Sequence, residues 1–70
     1  MVTLGTMLRV IDSDETVDVR ARDGEQVYLG SVRQLEEISG PSLRETDVLR
    51  IGTAPNADLG RVLTVMLNRR

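Results

Sequence analysis

One stretch of this chain, residues 16–32 (TVDVRARDGEQVYLGSV), restricts the fold more than any other. Apolar and polar side chains alternate on both sides of Asp23–Gly24, which is a strong turn dipeptide. Alternation with a period of two is typical of a half-buried strand. The segment therefore predicts a β-hairpin.

The apolar pattern also predicts how the two strands pair. A two-residue loop at Asp23–Gly24 would set Val19 opposite Tyr28 and mix apolar with charged side chains on each face. A three-residue loop over 22–24 sets Val19 opposite Val27 instead, and it separates the two kinds of side chain. Because a one-residue slip turns every side chain to the other face, we predict the three-residue loop, with Gly24 left-handed in a bulge after a type I turn.

This pairing predicts two different faces for the hairpin. The apolar face carries Val17, Val19, Val27 and Leu29. The polar face carries Asp18, Arg20, Gln26 and Tyr28.

The composition limits the core that a single domain of residues 1–70 can build. There is no Phe, no Trp and only one Tyr, so the core consists of Val, Leu, Ile and Met. Without Cys or His, neither a disulfide nor a zinc site can staple the fold. Chains this small are marginal alone, and oligomerisation is the remaining common remedy. We therefore expect a homo-oligomer, with a dimer as the favoured state.

Residues 3–11 fit two patterns. Apolar residues at helical spacing (Leu4, Met7, Leu8 and Ile11) predict a short amphipathic helix, with Thr3 as its N-cap. An alternating set (Val2, Leu4, Leu8 and Val10) fits a strand, and Gly5 weakens a helix. The helix is preferred, packed on the apolar face of the hairpin, while the strand stays open.

The second half of the chain predicts one helix and two strands. The helix runs from Ser31, its cap, to Gly40–Pro41, with Val32, Leu35 and Ile38 on one face. A loop over 41–46 leads to a strand over 47–52, in which Val48 and Arg50 share a face. A mobile, exposed loop over 52–60 follows, since this segment is rich in turn formers. The last strand covers 61–68.

These elements predict an α+β domain in the order α-β-β-α-β-β, with four mostly antiparallel strands and two short helices on one face. The last strand is apolar on both sides, which indicates cover on both sides. Leu63, Val65 and Leu67 should meet the helices. Val62, Thr64 and Met66 should form the oligomer interface. Arg69–Arg70 follows this strand as a charged end, which could keep the edge of the strand from pairing with other strands.

The polar face of the hairpin is the candidate binding surface. Arg and Tyr are typical anchors of protein interfaces, so we predict partner-binding roles for Asp18, Arg20, Arg22 and Tyr28. Arg20 and Tyr28 would also suit stacking on a nucleobase. An oligomer that binds nucleic acid through Arg20, Arg22 and Tyr28 is therefore the alternative. A net charge of −2 disfavours a general nucleic-acid binder.

Neither a catalytic nor a cofactor motif is present in the sequence. Ser–His and Cys–His pairs are impossible without His and Cys. The glycines are spaced as in turns and do not form a phosphate-binding loop. The acids after Ile11 begin like a calcium loop, but Val17 and Asp23 occupy its glycine and glutamate positions. We predict a non-enzymatic protein with no cofactor and no metal, although a weak divalent site at Asp12 and Asp14 stays open.

Location can also be predicted from the sequence. No segment approaches the roughly 20 apolar residues of a membrane span, and the N-terminus lacks the pattern of a signal peptide. We expect a cytoplasmic protein without a membrane partner.

The order of these signals also resembles a group of natural proteins. The segments TLGTMLRVID, DGEQVYLGSV, LEEI and VLRI, in this order, resemble small uncharacterised proteins of phages and prophages, some of which are anti-CRISPR factors. The resemblance implies a phage or mobile-element accessory protein that acts in the host cytoplasm. It would bind a host macromolecule, such as a host protein. It carries over no functional residues.

Overall fold

A computed structural model describes residues 2–69, in which three short helices accompany one four-stranded sheet. The elements in chain order are α1 (Leu4–Val10), β1 (Thr16–Arg20), β2 (Gln26–Ser31), α2 (Val32–Ile38), α3 (Pro41–Arg44), β3 (Val48–Asn56) and β4 (Gly60–Leu67). The strand order is β2-β1-β4-β3; the two outer pairs are antiparallel and the central β1/β4 pair is parallel. The predicted α+β class is confirmed. Arg70 of the predicted charged end lies outside the described residues.

Residues 3–11 form the helix that was preferred over a strand. The Thr3 hydroxyl accepts a hydrogen bond from the Thr6 backbone N–H at 3.3 Å and caps α1, as predicted. Leu4, Met7 and Leu8 are buried on the inner side of α1. The helix therefore covers the sheet with the apolar stripe that its spacing indicated.

The second predicted helix buries fewer of its apolar residues than expected. Ser31 caps α2 by accepting a hydrogen bond from the Gln34 N–H at 3.2 Å. Val32 and Leu35 are fully buried, whereas Ile38 is 63% exposed. The predicted loop over 41–46 contains a further helical turn, α3, which begins at Pro41. Proline suits this first position, since its missing N–H would have no partner there.

The hairpin has the predicted turn. The Ala21 N–H donates to the Glu25 carbonyl at 2.8 Å, and the Gly24 N–H donates to the Ala21 carbonyl at 2.9 Å. Gly24 has a φ of +93°, in the left-handed region. The three-residue loop and its glycine are therefore confirmed.

The predicted pairing beyond that turn is wrong. A bulge at Val19/Arg20 shifts the register, so Val19 lies opposite Tyr28 and not opposite Val27. The Tyr28 ring packs against the core, and its hydroxyl donates to the Ser31 carbonyl at 2.8 Å. Val27 and Leu29 are 39% and 41% exposed. The only aromatic ring of the chain is its largest apolar group. The observed register packs this ring against the core and leaves Val27 and Leu29 exposed.

The ring needs a glycine beside it. A Cβ on Gly30 would lie 2.6 Å from the Tyr28 hydroxyl oxygen, which is closer than real Cβ contacts allow. Gly30 therefore makes room for Tyr28 on the inner side of β2.

The loop predicted over 52–60 is also wrong, because the strand continues to Asn56 and the turn is three residues long. The Asn56 side-chain oxygen accepts hydrogen bonds from the Asp58 and Leu59 N–H groups at 2.9 and 3.0 Å. Pro55 is tolerated because β3 is an edge strand, where a missing N–H breaks no ladder on the outer side.

A second bulge, between Val48 and Arg50, separates residues that were predicted to share a face. Val48 pairs with Leu67 and packs against the core, whereas Arg50 pairs with Met66. Leu49, the extra residue, is 47% exposed. Both edge strands thus contain a bulge, a common feature of sheet edges.

The left-handed Gly24 provides a stability test with a matched control. We expect Gly24→Ala to lower the free energy of unfolding by about 1–2 kcal/mol, since its backbone conformation disfavours a Cβ. Gly40→Ala adds a Cβ to equally open space at an ordinary φ of −85° and should change stability little. Chemical denaturation measures both, and equal effects would contradict the assigned turn.

Candidate interaction surface

The two faces of the sheet differ in their cover. All three described helices contribute to the core on one face, where they meet Val17, Val19, Val65 and Leu67. None of these helices packs on the other face, which we call the open face. Two rows of side chains cross it from β2 to β3: Gln26, Arg20, Met66 and Arg50 form the first row, and Leu29, Asp18, Thr64 and Gly52 form the second.

The β1–β2 half of the open face holds a fixed polar network. The Arg20 Nε donates to the Asp18 Oδ2 at 3.0 Å, and its Nη1 donates to the Gly24 carbonyl at 2.9 Å. The Gln26 Nε2 donates to the other Asp18 oxygen at 3.2 Å. The Asp18 side chain is only 13% exposed. These bonds orient the charges and partly neutralise Arg20.

The β4–β3 half contains a shallow depression of about 210 Å³ over Gly52. Its lining also includes Arg50, Thr53, Ala54, Thr64 and Met66. Apart from Gly52 and its two chain neighbours, no described residue has an atom within 4 Å of the position that a Gly52 Cβ would occupy. The Thr64 Oγ1 is buried and has no hydrogen-bond partner among the described residues. This unpaired hydroxyl belongs to a residue that lines the depression.

Arg50 differs from Arg20 in its charge environment. Within residues 2–69, ion pairs form between Arg20 and Asp18 and between Arg33 and Asp14, and neither involves Arg50. Arg50 is exposed at the rim of the depression. It is therefore available to a partner that offers an acceptor.

The structure merges two surfaces that the sequence predicted separately. Asp18 and Arg20, predicted to bind a partner, share the open face with Thr64 and Met66, predicted to bind a second copy. Val62, the third predicted interface residue, is only 3% exposed and is already covered within the chain. One partner at a time can therefore occupy this face.

The other two predicted residues lie elsewhere. Tyr28 faces the helices, so its predicted grouping with Asp18 and Arg20 is wrong; the register shift at the Val19/Arg20 bulge is the cause. Arg22 lies in the hairpin loop, where its Nη1 donates to the Asn68 side-chain oxygen at 3.3 Å.

Four residues of the open face were missed by the sequence reasoning. Leu29 was expected to be buried, and Gly52 and Ala54 were expected in a loop. Arg50 was assigned to a strand without a site. A bulge has no reliable sequence signal, so the only available hint was that the sole ring competes with Val27 and Leu29 for the core.

The chemistry that this surface offers is binding by hydrogen bonds, ion pairs and apolar contact. In the part of the chain that the structure describes, no three acidic side chains come together to hold a metal ion. The weak divalent site that the sequence left open comprises Asp12 and Asp14. There, the Asp14 carboxylate accepts a hydrogen bond from Arg33 at 3.3 Å, and the Asp12 carboxylate accepts one from the Asp14 N–H.

A second depression, of about 230 Å³, lies between the helices. Arg9, Glu36 and Arg44 line it, together with the exposed threonines of the α1 cap. The Arg44 Nη2 donates to the Glu36 carbonyl at 2.6 Å, so one of its two cations is engaged within the chain. The open face is the broader surface and holds the residues that the sequence singled out.

Comparisons of the chain with models of protein families, with curated proteins and with solved structures give no match. Within residues 2–69, no helix has the length and apolar character needed to cross a membrane.

The position of Tyr28 can be tested by two substitutions. We expect Tyr28→Phe to lower stability by about 0.5–1.5 kcal/mol, because it removes the hydrogen bond to the Ser31 carbonyl. Tyr28→Ala should cost more, about 2–3 kcal/mol, since it also removes the contacts of a partly buried ring with the core. Denaturation curves that moved little for both variants would place the ring in solvent and contradict this register.

Proposed function

We propose that this chain is a small non-enzymatic interaction protein whose open face binds another protein. One observation supports this most directly: a whole sheet face lacks a helix layer and yet carries exposed Leu29 and half-buried Met66 between charged groups. Apolar side chains that are accessible among charged ones on an uncovered sheet face are suited to contact with another protein.

The alternative, a nucleic-acid-binding oligomer, has one observation in its favour. Arg20 and Arg50 share the open face. Three observations weigh against it: Arg20 is paired with Asp18, Tyr28 faces the helices, and the net charge is −2. The face therefore offers no ring on which a base could stack, and a protein partner fits it better.

The biological role that we propose follows the resemblance to small phage and prophage proteins. The chain would act as an accessory factor of a phage or mobile element and bind a host protein in the host cytoplasm, with inhibition of a defence system, anti-CRISPR activity included, as one form. The small size of the chain, its simple surface chemistry and its open face are compatible with such a binder.

Leu29→Lys separates the two candidate functions in one experiment. A lysine in place of the exposed leucine should weaken protein binding by about tenfold or more, as expected when a charge replaces an apolar interface contact. The same change should strengthen binding to nucleic acid, because it adds a cation beside Arg20. Pull-downs from a bacterial lysate and binding to DNA and RNA at low salt measure the two effects.

Val10→Lys is the matched control. Val10 is 81% exposed at the end of α1, on the helical side of the chain. Captured proteins should depend on Leu29 but not on Val10. Equal capture by both variants would contradict a role for the open face, and salt-sensitive nucleic-acid binding by the unmodified chain would favour the alternative.

A further inference from the structure

We infer that the open face is built to bind a second copy of this chain, packed face to face about a two-fold axis that runs parallel to β1 and β4 between them. This inference rests on the proposed function, that the open face binds another protein, and it makes the second copy an occupant that a host protein would have to displace. It is carried by the order of the residues in the two rows.

The second row can pair with the same row of a second copy that runs across it in the opposite order. A two-fold axis between β1 and β4 places β1 over β4 of the second copy and β2 over β3 of the second copy, within the same row. Leu29 then lies opposite Gly52 of the second copy, and Asp18 lies opposite Thr64 of the second copy. Such reciprocal contacts are what an isologous interface requires.

The pair of Leu29 and Gly52 fits as a knob and a hole. Leu29 is 41% exposed on β2. Gly52 is the floor of the depression of about 210 Å³, and no atom occupies its Cβ position. Packed sheets lie about 10 Å apart with interdigitating side chains, so the leucine of one copy would fill the space above the glycine of the other.

The polar groups of the face also find partners in this arrangement. The Thr64 hydroxyl has no partner in one chain, and a rotation about χ1 would turn it toward Asp18 of the second copy. Asp18 accepts two hydrogen bonds within its own chain, and a carboxylate can accept about four.

The first row pairs without a clash of like charges. Arg20 lies opposite Met66 of the second copy, where its aliphatic stem can cover the thioether. Gln26 lies opposite Arg50 of the second copy. The Gln26 amide nitrogen is engaged with Asp18, which leaves its oxygen to accept a hydrogen bond from that arginine.

The size of the face is close to that of a standard interface. A standard interface buries roughly 800 Å² per partner, which is about one sixth of the accessible surface of 4653 Å². The two longest extents of the whole chain, 30 and 25 Å, limit its broadest side to a projected area just below that figure. A dimer would also extend a core that lacks Phe, Trp and disulfides.

Analytical ultracentrifugation of the full chain tests the inference. The unmodified protein should be dimeric at high micromolar concentration. Gly52→Leu should weaken dimerisation by about 30-fold or more without destabilising the monomer, because its side chain enters open space. Ile51→Ala, on the same strand but on the other face and outside the lining of the depression, should leave the dimerisation constant unchanged.

A swap of knob and hole tests the register. Leu29→Ala and Gly52→Leu should each weaken the dimer, and the double variant should dimerise more tightly than either single variant. Only a register that sets residue 29 against residue 52 of the second copy predicts this rescue. An axis across the strands would separate these residues and give no rescue.

The outcomes separate this inference from the proposed function. A monomeric unmodified protein, a dimer insensitive to Gly52→Leu, or a swap without rescue would overturn the two-fold arrangement. If the protein is monomeric while Leu29→Lys still abolishes capture of a host protein, only the dimer is lost. A dimer with the rescue, but with no capture that depends on Leu29, would support the dimer and count against the host-binding function.

Discussion

The burial of one tyrosine ring is the constraint on which the rest of this structure depends. In a chain with no other aromatic residue, the partly buried Tyr28 side chain is the largest apolar group that packs against the core. Its hydroxyl still needs a hydrogen bond, which the nearby Ser31 carbonyl provides. Both requirements are met only when Tyr28 faces inward, and Gly30 leaves the room that the ring occupies.

The consequence is a change in the outer side of the sheet. Because side chains alternate along a strand, an inward Tyr28 turns Leu29 outward, into the row that contains Asp18. The bulge in β3 likewise turns Arg50 to the same side, beside Met66. Two local irregularities in the edge strands thus give the open face its mixture of apolar and charged groups, and the binding proposals rest on that mixture.

The sequence predicted what local chemistry determines. The Thr3 and Ser31 caps and the Gly24 turn depend on neighbours within a few residues, and each was predicted correctly. The pairing of β2 depends on which of its side chains, Tyr28 or the aliphatic residues, packs against the core. The length of β3 depends on its position at the edge of the sheet, where Pro55 is tolerated. Such tertiary effects override the alternation of the strand residues, so the composition of the open face could not be predicted.

A small chain of aliphatic residues also links folding to assembly. Among residues 2–69, the fully buried side chains are those of aliphatic residues and methionine. The orphaned Thr64 hydroxyl and the empty space over Gly52 both lie on the face that has no helix layer. A partner that binds only the folded chain stabilises it in proportion to the logarithm of its concentration. Occupation of the open face would therefore raise the stability of the fold itself, and the surface that binds would be the surface that completes the structure.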